Sequence, residues 1–380
     1  MPNLSCVRPS IAGVGQFRFI QVQMPVACWG VVSFILVLLL LDLLIRLQCD
    51  RWQRHSPDDY AARVDGCARE ARQFVVIGGS PVSEGLDPEV MAGFRWQGEK
   101  LVNGYAVGLP GGTTTDFYHA ARLACPTPPR LLIYGITASD LNDRRNEPHG
   151  VYSLLSWRDL LRLMTIRPDA AEWTARHFLQ SRLGDCWAAF RYRHGIRMWA
   201  ALEADRIWPG CCPEASGQAR ELAEYSRRLQ CGRGYAPAAG FEYRRYDRVK
   251  AENLEQPPFG FLDDYRTGSH WKYLDALMAW TEAEGIDLVL VDMPVTADLE
   301  SRYASAMNEY SRRLQQWERE HGVRILRAER NQVGLGDEQF ADLIHLNRDG
   351  ARRLSAWLRQ QLDSVPEHAL PRILAEGRRE

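Results

Sequence analysis

The sequence predicts an α/β protein built on a mainly parallel sheet with helices packed on both faces. Two observations favour this class: short and almost purely apolar runs recur along the chain, and segments with helical periodicity lie between them. Five runs are expected to be strands, at residues 73–77, 101–102, 131–136, 287–292 and 323–326. Strands that alternate with helices predict a flavodoxin-like three-layer sandwich.

The first run leads into Gly78-Gly79-Ser80. Four apolar residues followed by two glycines and a serine are typical of a buried strand that ends in a tight turn. Ligands of open α/β sheets bind at the carboxyl ends of the strands, so the Ser80 hydroxyl stands where a nucleophile is expected. A serine with a purely structural role in the turn is the commoner explanation when this stretch is taken alone.

A second polar feature is the stretch from Gly104 to Gly112, which contains four glycines and precedes a helix expected to begin near Thr113. Glycine has no Cβ, so the backbone N–H groups of such a loop can approach a ligand closely. No Gly-Lys-Ser/Thr sequence follows, which excludes a phosphate-binding loop of that type. A plain glycine-rich turn is the alternative.

The chain is expected to divide into five parts. They are an N-terminal tail (1–18), a transmembrane anchor (19–45), a juxtamembrane linker and helix (46–72), an α/β domain (73–150 and 264–365) and a helical insertion or cap (151–263). Helices are predicted from Pro88, with Asp87 as N-cap, and at 273–284, 298–321 and 348–362. Five tryptophans alternate with arginines in the insertion, a pattern more typical of helix cores with solvated faces than of a sugar or nucleic-acid contact.

The anchor is predicted because no charged residue occurs from Phe19 to Leu41. These 23 residues are enough to cross a bilayer as a helix. A cleaved signal peptide is the main alternative, but no small-residue cleavage site follows the apolar run. Arginines flank the span on both sides, two before it and three after it up to Arg54, and this small excess favours a cytoplasmic main domain.

Composition narrows the classes of function. The net charge of −1 argues against a general nucleic-acid binder. None of the nine cysteines forms a C-x-x-C pair or a zinc-like cluster with histidine, so neither a metal site nor a cofactor is predicted. Four cysteines of the insertion are either bridged, if that region is extracytoplasmic, or simply free thiols. They are Cys186, Cys211, Cys212 and Cys231.

Near the C-terminus, Asp342 and His345 lie three residues apart, just before the last predicted helix. This spacing lets the carboxylate fold back on the imidazole, fix its tautomer and stabilise the imidazolium that forms when the histidine takes a proton from a serine. Taken alone, this pair is weak evidence for a catalytic role. Combined with Ser80 at the end of the first strand of a doubly wound sheet, it predicts a Ser-His-Asp catalytic triad.

These residues resemble the motifs of the SGNH (GDSL-like) hydrolases. Gly79-Ser80 with Gly85 is similar to the first motif of that family, although glycine replaces the usual aspartate before the serine. Gly108 to Thr113 is similar to the second motif, which implies that the Gly108 N–H is an oxyanion donor. Asp342 to His345 resembles the fifth motif, which carries the other two members of the triad.

The third motif departs from the family pattern. Thr137 stands where the family has an asparagine, and Asn142, later in the same loop, is the candidate for the missing oxyanion donor. The resemblance covers about residues 70–145 and 270–362 and leaves the insertion unexplained. It implies a serine-dependent acyl esterase or O-acyltransferase that works through an acyl-enzyme.

The anchor and the segment Val291 to Val295 make the chain look like the membrane-anchored branch of the family, whose members take part in alginate O-acetylation and teichoic-acid D-alanylation. That branch implies an extracytoplasmic (periplasmic) domain, a polysaccharide or glycolipid substrate of the cell envelope, and a multi-spanning membrane O-acyltransferase as partner. Two alternatives remain open. One is a non-catalytic envelope assembly protein of the same fold, and the other is an esterase held on the inner face of the membrane.

Overall fold

The computed structural model describes residues 26–53, 60–144, 152, 154–166, 168, 171–236 and 260–365. Residues 1–47 and 48–380 are two compact units. The described part of the first unit is one helix, α1 (Val26–Arg46). Its segment Trp29–Arg46 is long and apolar enough to cross a membrane, a criterion that a signal sequence also meets. Residues 19–25 of the predicted anchor lie outside the described residues.

The second unit contains a five-stranded sheet in the order β4-β1-β5-β6-β7, and every pair of neighbouring strands is parallel. Two further short strands, β2 and β3, form a separate antiparallel hairpin. The strands are β1 (Phe74–Gly78), β2 (Phe94–Trp96), β3 (Glu99–Leu101), β4 (Gly104–Gly108), β5 (Leu131–Ile136), β6 (Asp287–Asp292) and β7 (Arg324–Arg327). The predicted α/β class with a parallel sheet is therefore confirmed.

Four of the five predicted strands lie within one residue of their observed bounds, and the strand predicted at 101–102 is wrong. Leu101 ends the hairpin strand β3, whereas the strand of the main sheet is β4, in the stretch interpreted as a glycine-rich loop. The reason is tertiary packing. A Cβ on Gly104 would collide with the ring of Phe74 on the neighbouring strand, so a glycine at this position lets the ring cover the backbone.

The helices of the second unit before the insertion are α2 (Cys49–Gln53), α3 (Tyr60–Ala68), α4 (Ser80–Gly85), α5 (Pro88–Met91) and α6 (Thr114–Ala124). The described part of the insertion carries α7 (Trp157–Ile166), α8 (Ala171–Asp185), α9 (Ala188–Arg191), α10 (Arg193–Ile207) and α11 (Pro213–Cys231). After it come α12 (Ser269–Glu284), α13 (Ala297–Arg302), α14 (Ala304–His321), α15 (Arg330–Val333) and α16 (Arg348–Asp363).

Helices cover both faces of the sheet, as a three-layer sandwich requires. On one face, α3, α6, α12 and α14 share a core with β1 and β5 that includes Phe117, Tyr273 and Tyr310. On the other face, α5 and α16 pack on the sheet through Met91 and Leu354. The single helix predicted at 298–321 is two helices, α13 and α14, with the buried Tyr303 between them.

Three glycines at the carboxyl ends of adjacent strands form a flat surface under α4. Gly78 of β1 is in register with Gly108 of β4 on one side and with Gly135 of β5 on the other. A Cβ on Gly78 or Gly135 would collide with Val82 of α4, and a Cβ on Gly108 would collide with Ser83. This glycine platform lets the short helix that begins with Ser80 lie directly on the sheet edge.

The C-terminal part of the insertion returns along the open edge of the sheet. The N–H of Ala106 on β4 donates to the carbonyl of Arg233 (2.9 Å), and the N–H of Ala236 donates to the carbonyl of Ser83 in α4 (2.9 Å). The insertion therefore reaches the helix that carries Ser80. None of its four cysteines named above takes part in a disulfide in the described part of the chain, so the bridged alternative is not observed.

Candidate active site

Ser80 is the first residue of α4, immediately after β1. Gly79 precedes the helix in an extended conformation, and Pro81 in the first turn has the fixed φ that a helix start requires. The Ser80 side chain is half-buried at the carboxyl edge of the sheet. Because α4 rests on the glycine platform, the position of Ser80 is set by the backbone of three strands.

Asp342 and His345 lie in a tight loop between β7 and α16. One carboxylate oxygen of Asp342, Oδ1, accepts from the backbone N–H groups of Ile344 (2.9 Å) and His345 (2.8 Å). The loop is closed by the N–H of Ala341, which donates to the carbonyl of His345 (2.7 Å). Asn347 then caps α16 by accepting from the N–H groups at the first turn. The loop thus orients the carboxylate before any side-chain contact is considered.

The structure brings the three predicted triad residues into one hydrogen-bonded chain. The Asp342 Oδ2 atom is 2.6 Å from His345 Nδ1, and His345 Nε2 is 2.7 Å from Ser80 Oγ. If Nδ1 carries the proton donated to Asp342, Nε2 is free to accept the hydroxyl proton of Ser80. Nucleophile, base and orienting carboxylate therefore stand in the order that nucleophilic catalysis by serine needs.

Charges around the imidazole favour its protonated form. Burial disfavours the imidazolium, but the hydrogen bond and charge of Asp342, together with the more distant Glu84, raise the pKa of His345 to about 9. Burial likewise opposes ionisation of Asp342, yet the contacts with His345 and two backbone N–H groups hold its pKa below the usual value. Burial raises the pKa of Glu84, which lies on α4 one turn beyond Ser80.

Gly108, the predicted oxyanion donor, ends β4 beside Gly78. In a strand, alternate N–H groups point to opposite sides. The N–H of Ala106 points away from β1, because it donates to Arg233, and the N–H of Gly108 has the same parity. It is therefore not used by the β1–β4 ladder.

In the loop after β5, the side chains of Thr137 and Asn142 are bonded to other protein groups. The Thr137 hydroxyl donates to Asp140 Oδ2 (3.0 Å), and the Thr137 N–H donates to the same oxygen (2.9 Å). Asn142 is fully buried, and its amide donates to the carbonyl of Phe261 (2.9 Å). Its oxygen accepts from the N–H groups of Arg144 (3.1 Å) and Arg266 (3.0 Å).

Asn142 is thus placed as a structural residue that ties the loop to residues 261–266, and the geometry does not bring it to Ser80. The spacing in the sequence left room for either role, because the partner carbonyl and N–H groups come from a segment more than a hundred residues later. Thr137 bonds within this loop and Asn142 also bonds to residues 261–266, so neither side chain is placed as an oxyanion donor.

Two residues of α3, which sequence reasoning assigned only to a juxtamembrane linker and helix, hold the end of β4. Arg63 is buried, and its guanidinium donates to the carbonyl of Gly108 (2.7 Å). The Tyr60 hydroxyl donates to the carbonyl of Pro110 (2.9 Å). Both residues lie on the apolar stripe of the helix with Val64 and Cys67, at spacings of three, four and seven from Tyr60. An arginine on such a stripe was the signal that could have identified Arg63.

No protein-family model matches the chain, and no curated protein matches it.

Proposed function

We propose that this chain is a membrane-anchored, serine-dependent O-acyltransferase or acyl esterase of the SGNH type. One observation carries the proposal: the continuous hydrogen-bonded chain from Asp342 through His345 to Ser80 Oγ, at distances of 2.6 and 2.7 Å. A structural serine has no need of an imidazole oriented by a carboxylate, whereas a nucleophile does. The place of Ser80 at the carboxyl edge of a parallel sheet supports the same conclusion.

In the proposed reaction, Ser80 Oγ attacks the carbonyl carbon of an acyl donor while His345 Nε2 takes the hydroxyl proton. Asp342 stabilises the imidazolium. The N–H groups of Ser80 and Gly108 hold the oxyanion, and each such donor typically contributes about 3 kcal/mol. His345 then returns the proton to the leaving oxygen, and an acyl-enzyme remains. In the second half of the reaction, an acceptor hydroxyl or water gives its proton to His345 and bonds to the acyl carbon, the bond to Ser80 Oγ breaks, and His345 returns the proton to Ser80 Oγ.

The substrate and location follow from the family resemblance. The proposed acceptor is a polysaccharide or glycolipid of the cell envelope, and the proposed partner is a multi-spanning membrane O-acyltransferase. The apolar helix α1 supports membrane attachment by length and composition. An extracytoplasmic active site is part of the proposal. Reporter fusions at the C-terminus, active only on one side of the membrane, would separate it from an esterase on the inner face.

The test is reaction of the detergent-purified full-length protein with a fluorophosphonate, followed by mass spectrometry of the labelled peptide. We expect the label on Ser80 and turnover of a chromogenic acetyl ester, both lost in Ser80→Ala. The matched control is Ser83→Ala, three residues later on the same helix. Ser83 is buried and its hydroxyl donates to the carbonyl of Ser80 (3.1 Å), so its loss should leave labelling in place.

A second function, a non-catalytic envelope assembly protein, is favoured by one observation. The expected third-motif asparagine is a threonine whose hydroxyl is bonded to Asp140, and Asn142 is bonded to another loop. An absence of both labelling and ester turnover in a folded protein would support this second function. A strict transferase ignores small esters but still reacts with the fluorophosphonate, so the two measurements together separate the cases.

A further inference from the structure

Apart from α1 and the turn that follows it, exposed large apolar side chains are concentrated in one region of the chain. Among the described residues from 48 onwards, Val102 is the single such side chain outside the insertion. The others, which we call the insertion surface, are Trp157, Leu161, Leu179, Leu183, Trp187, Phe190, Ile207 and Trp208. Ile207 and Trp208 are 79% and 77% exposed at the end of α10. A solvated helix bundle has no reason to expose so many large apolar residues in one segment.

The remaining members lie close together at the junction of α7, α8 and α9. The ring of Trp157 packs edge-on against Phe178 of α8 (4.7 Å between centroids), and Leu161 lies one turn beyond Trp157. Leu179 and Leu183 share one face of α8 at a spacing of four. Phe190 lies against Gly184, and the Arg193 guanidinium lies 4.2 Å from the Phe190 ring centre. This is a mixed patch of apolar rings and arginines.

The charge of the same segment is positive, although the whole chain is not. Residues 157–208 contain nine arginines against six aspartates and glutamates, a net charge of +3, while the full chain carries −1. Tryptophan and leucine among arginines are the residues that occupy the interface of a bilayer. The rings and aliphatic chains enter the boundary of the acyl region, and the guanidinium groups meet lipid phosphates.

The start of the second unit connects the insertion to the proposed membrane span. The proposed membrane span ends at Arg46, and α2 begins at Cys49, so at most about 11 Å of chain separates them. Helix α2 packs on the middle of α10: the rings of Trp52 and Trp199 meet edge-on at 5.3 Å, and the Arg51 guanidinium lies 4.6 Å from the Trp199 ring centre.

Through α2, Trp199 is therefore connected by a short stretch of chain to the end of the proposed membrane span. Phe190, in α9, and Trp208, at the end of α10, each lie nine residues from Trp199 along the chain. Exposed apolar side chains therefore occur in sequence on both sides of the residue that α2 contacts. A protein surface that close to a bilayer is expected to meet lipid before any soluble partner.

We propose that the insertion surface docks on the lipid bilayer that α1 spans, at the level of the headgroups of anionic phospholipids. The inference rests on the proposed membrane anchoring of the chain and not on its proposed chemistry. Docking would hold the second unit against the membrane, and with it the Arg233–Ala236 segment that contacts the Ser80 helix.

The test uses the full-length protein in vesicles of phosphatidylcholine and phosphatidylglycerol that contain a phospholipid with a diazirine in its acyl chain. After irradiation, lipid adducts are mapped by mass spectrometry of tryptic peptides. We expect adducts on α1 and on the peptide 207–220, which begins with Ile207 and Trp208. The peptide 101–122 carries the exposed Val102 and is the internal control, on which adducts should be several-fold fewer.

A double variant, Ile207→Asp with Trp208→Asp, should lose the adducts on that peptide and keep those on α1. Val102→Asp is the matched control and should change nothing. Adducts on α1 alone in the unaltered protein would overturn the docking on lipid. An integral membrane protein would then be the alternative partner of the insertion surface. Absence of adducts on α1 as well would overturn the anchor and the docking together. Fluorophosphonate labelling of Ser80 in the same sample reports separately on the proposed chemistry.

Discussion

Two loops at the carboxyl edge of the sheet, residues 340–347 and 137–144, are both rich in polar side chains. They differ in the groups to which those side chains are hydrogen-bonded. In the first loop, the His345 imidazole is bonded to the Asp342 carboxylate and to the Ser80 hydroxyl, with which it can exchange a proton. In the second loop, the side chain of Asn142 bonds to backbone groups: the N–H of Arg144 in the same loop, and the C=O of Phe261 and the N–H of Arg266 in another segment.

The comparison separates a polar cluster that can do chemistry from one that holds a fold. Backbone amides do not change protonation, so a side chain bonded to them contributes stability and orientation. In a series of carboxylate, imidazole and hydroxyl, the imidazole can take the hydroxyl proton while the carboxylate stabilises the imidazolium that forms. Both loops contain an aspartate and an asparagine, and the histidine of the first loop is the residue type that separates them.

The largest effect that would sharpen this contrast is expected for Asp342→Asn. The amide keeps the shape but cannot hold the imidazole in the tautomer that accepts from Ser80, and such a change in a Ser-His-Asp triad lowers kcat about 10⁴-fold. Ester turnover measured beside thermal unfolding checks it. Activity within a factor of a few of the unaltered protein would mean that the first loop is as structural as the second.

For Asn142→Ala we expect the opposite pattern. Its loss leaves the N–H groups of Arg144 and Arg266 and the carbonyl of Phe261 without their partners, so the free energy of unfolding should fall by about 2 kcal/mol. Denaturant unfolding measures this change, and kcat of the folded fraction should stay the same. A loss of kcat with unchanged stability would instead identify Asn142 as an oxyanion donor and break the comparison.

Thr137→Val should have a smaller effect in the same direction. The hydroxyl bond to Asp140 is lost while the backbone bond to the same carboxylate remains, and we expect a destabilisation of about 1 kcal/mol. Thr137→Ser, which keeps the hydroxyl, is the control. Equal stability of both variants would show that this hydrogen bond contributes nothing to the loop.

The smallest effect is the shift of the pH profile that we expect for Glu84→Gln. Because the pKa of His345 is raised to about 9 and the base must be neutral, kcat/KM should climb about tenfold per pH unit below that value and level off above it. Glu84 contributes to the raised pKa, so Glu84→Gln should shift the rise towards lower pH. A profile that is unchanged in Glu84→Gln would leave Asp342 as the single acid that charges the imidazole.

The sheet and the pairing of Asp342 with His345 were predictable because their signals are local. Buried parallel strands are continuous apolar runs, and Asp342 and His345 share a single turn of chain. Strand β4 was assigned to a loop because its glycines make room for Phe74 and Ser83, which belong to other elements. Arg63 was overlooked, and Asn142 was interpreted as a candidate oxyanion donor, for the same reason. Their partners are far from them in sequence, and no local pattern encodes those contacts.

The glycine platform gives the proposed enzyme a narrow mechanical tolerance. Ser80 and His345 come from opposite ends of the chain, and the 2.7 Å between their reacting atoms depends on how closely α4 lies against Gly78, Gly108 and Gly135. One added methyl group on any of these glycines would act as a spacer and lift the nucleophile away from its base. The triad can thus be disconnected by an uncharged, apolar change that alters none of its three side chains.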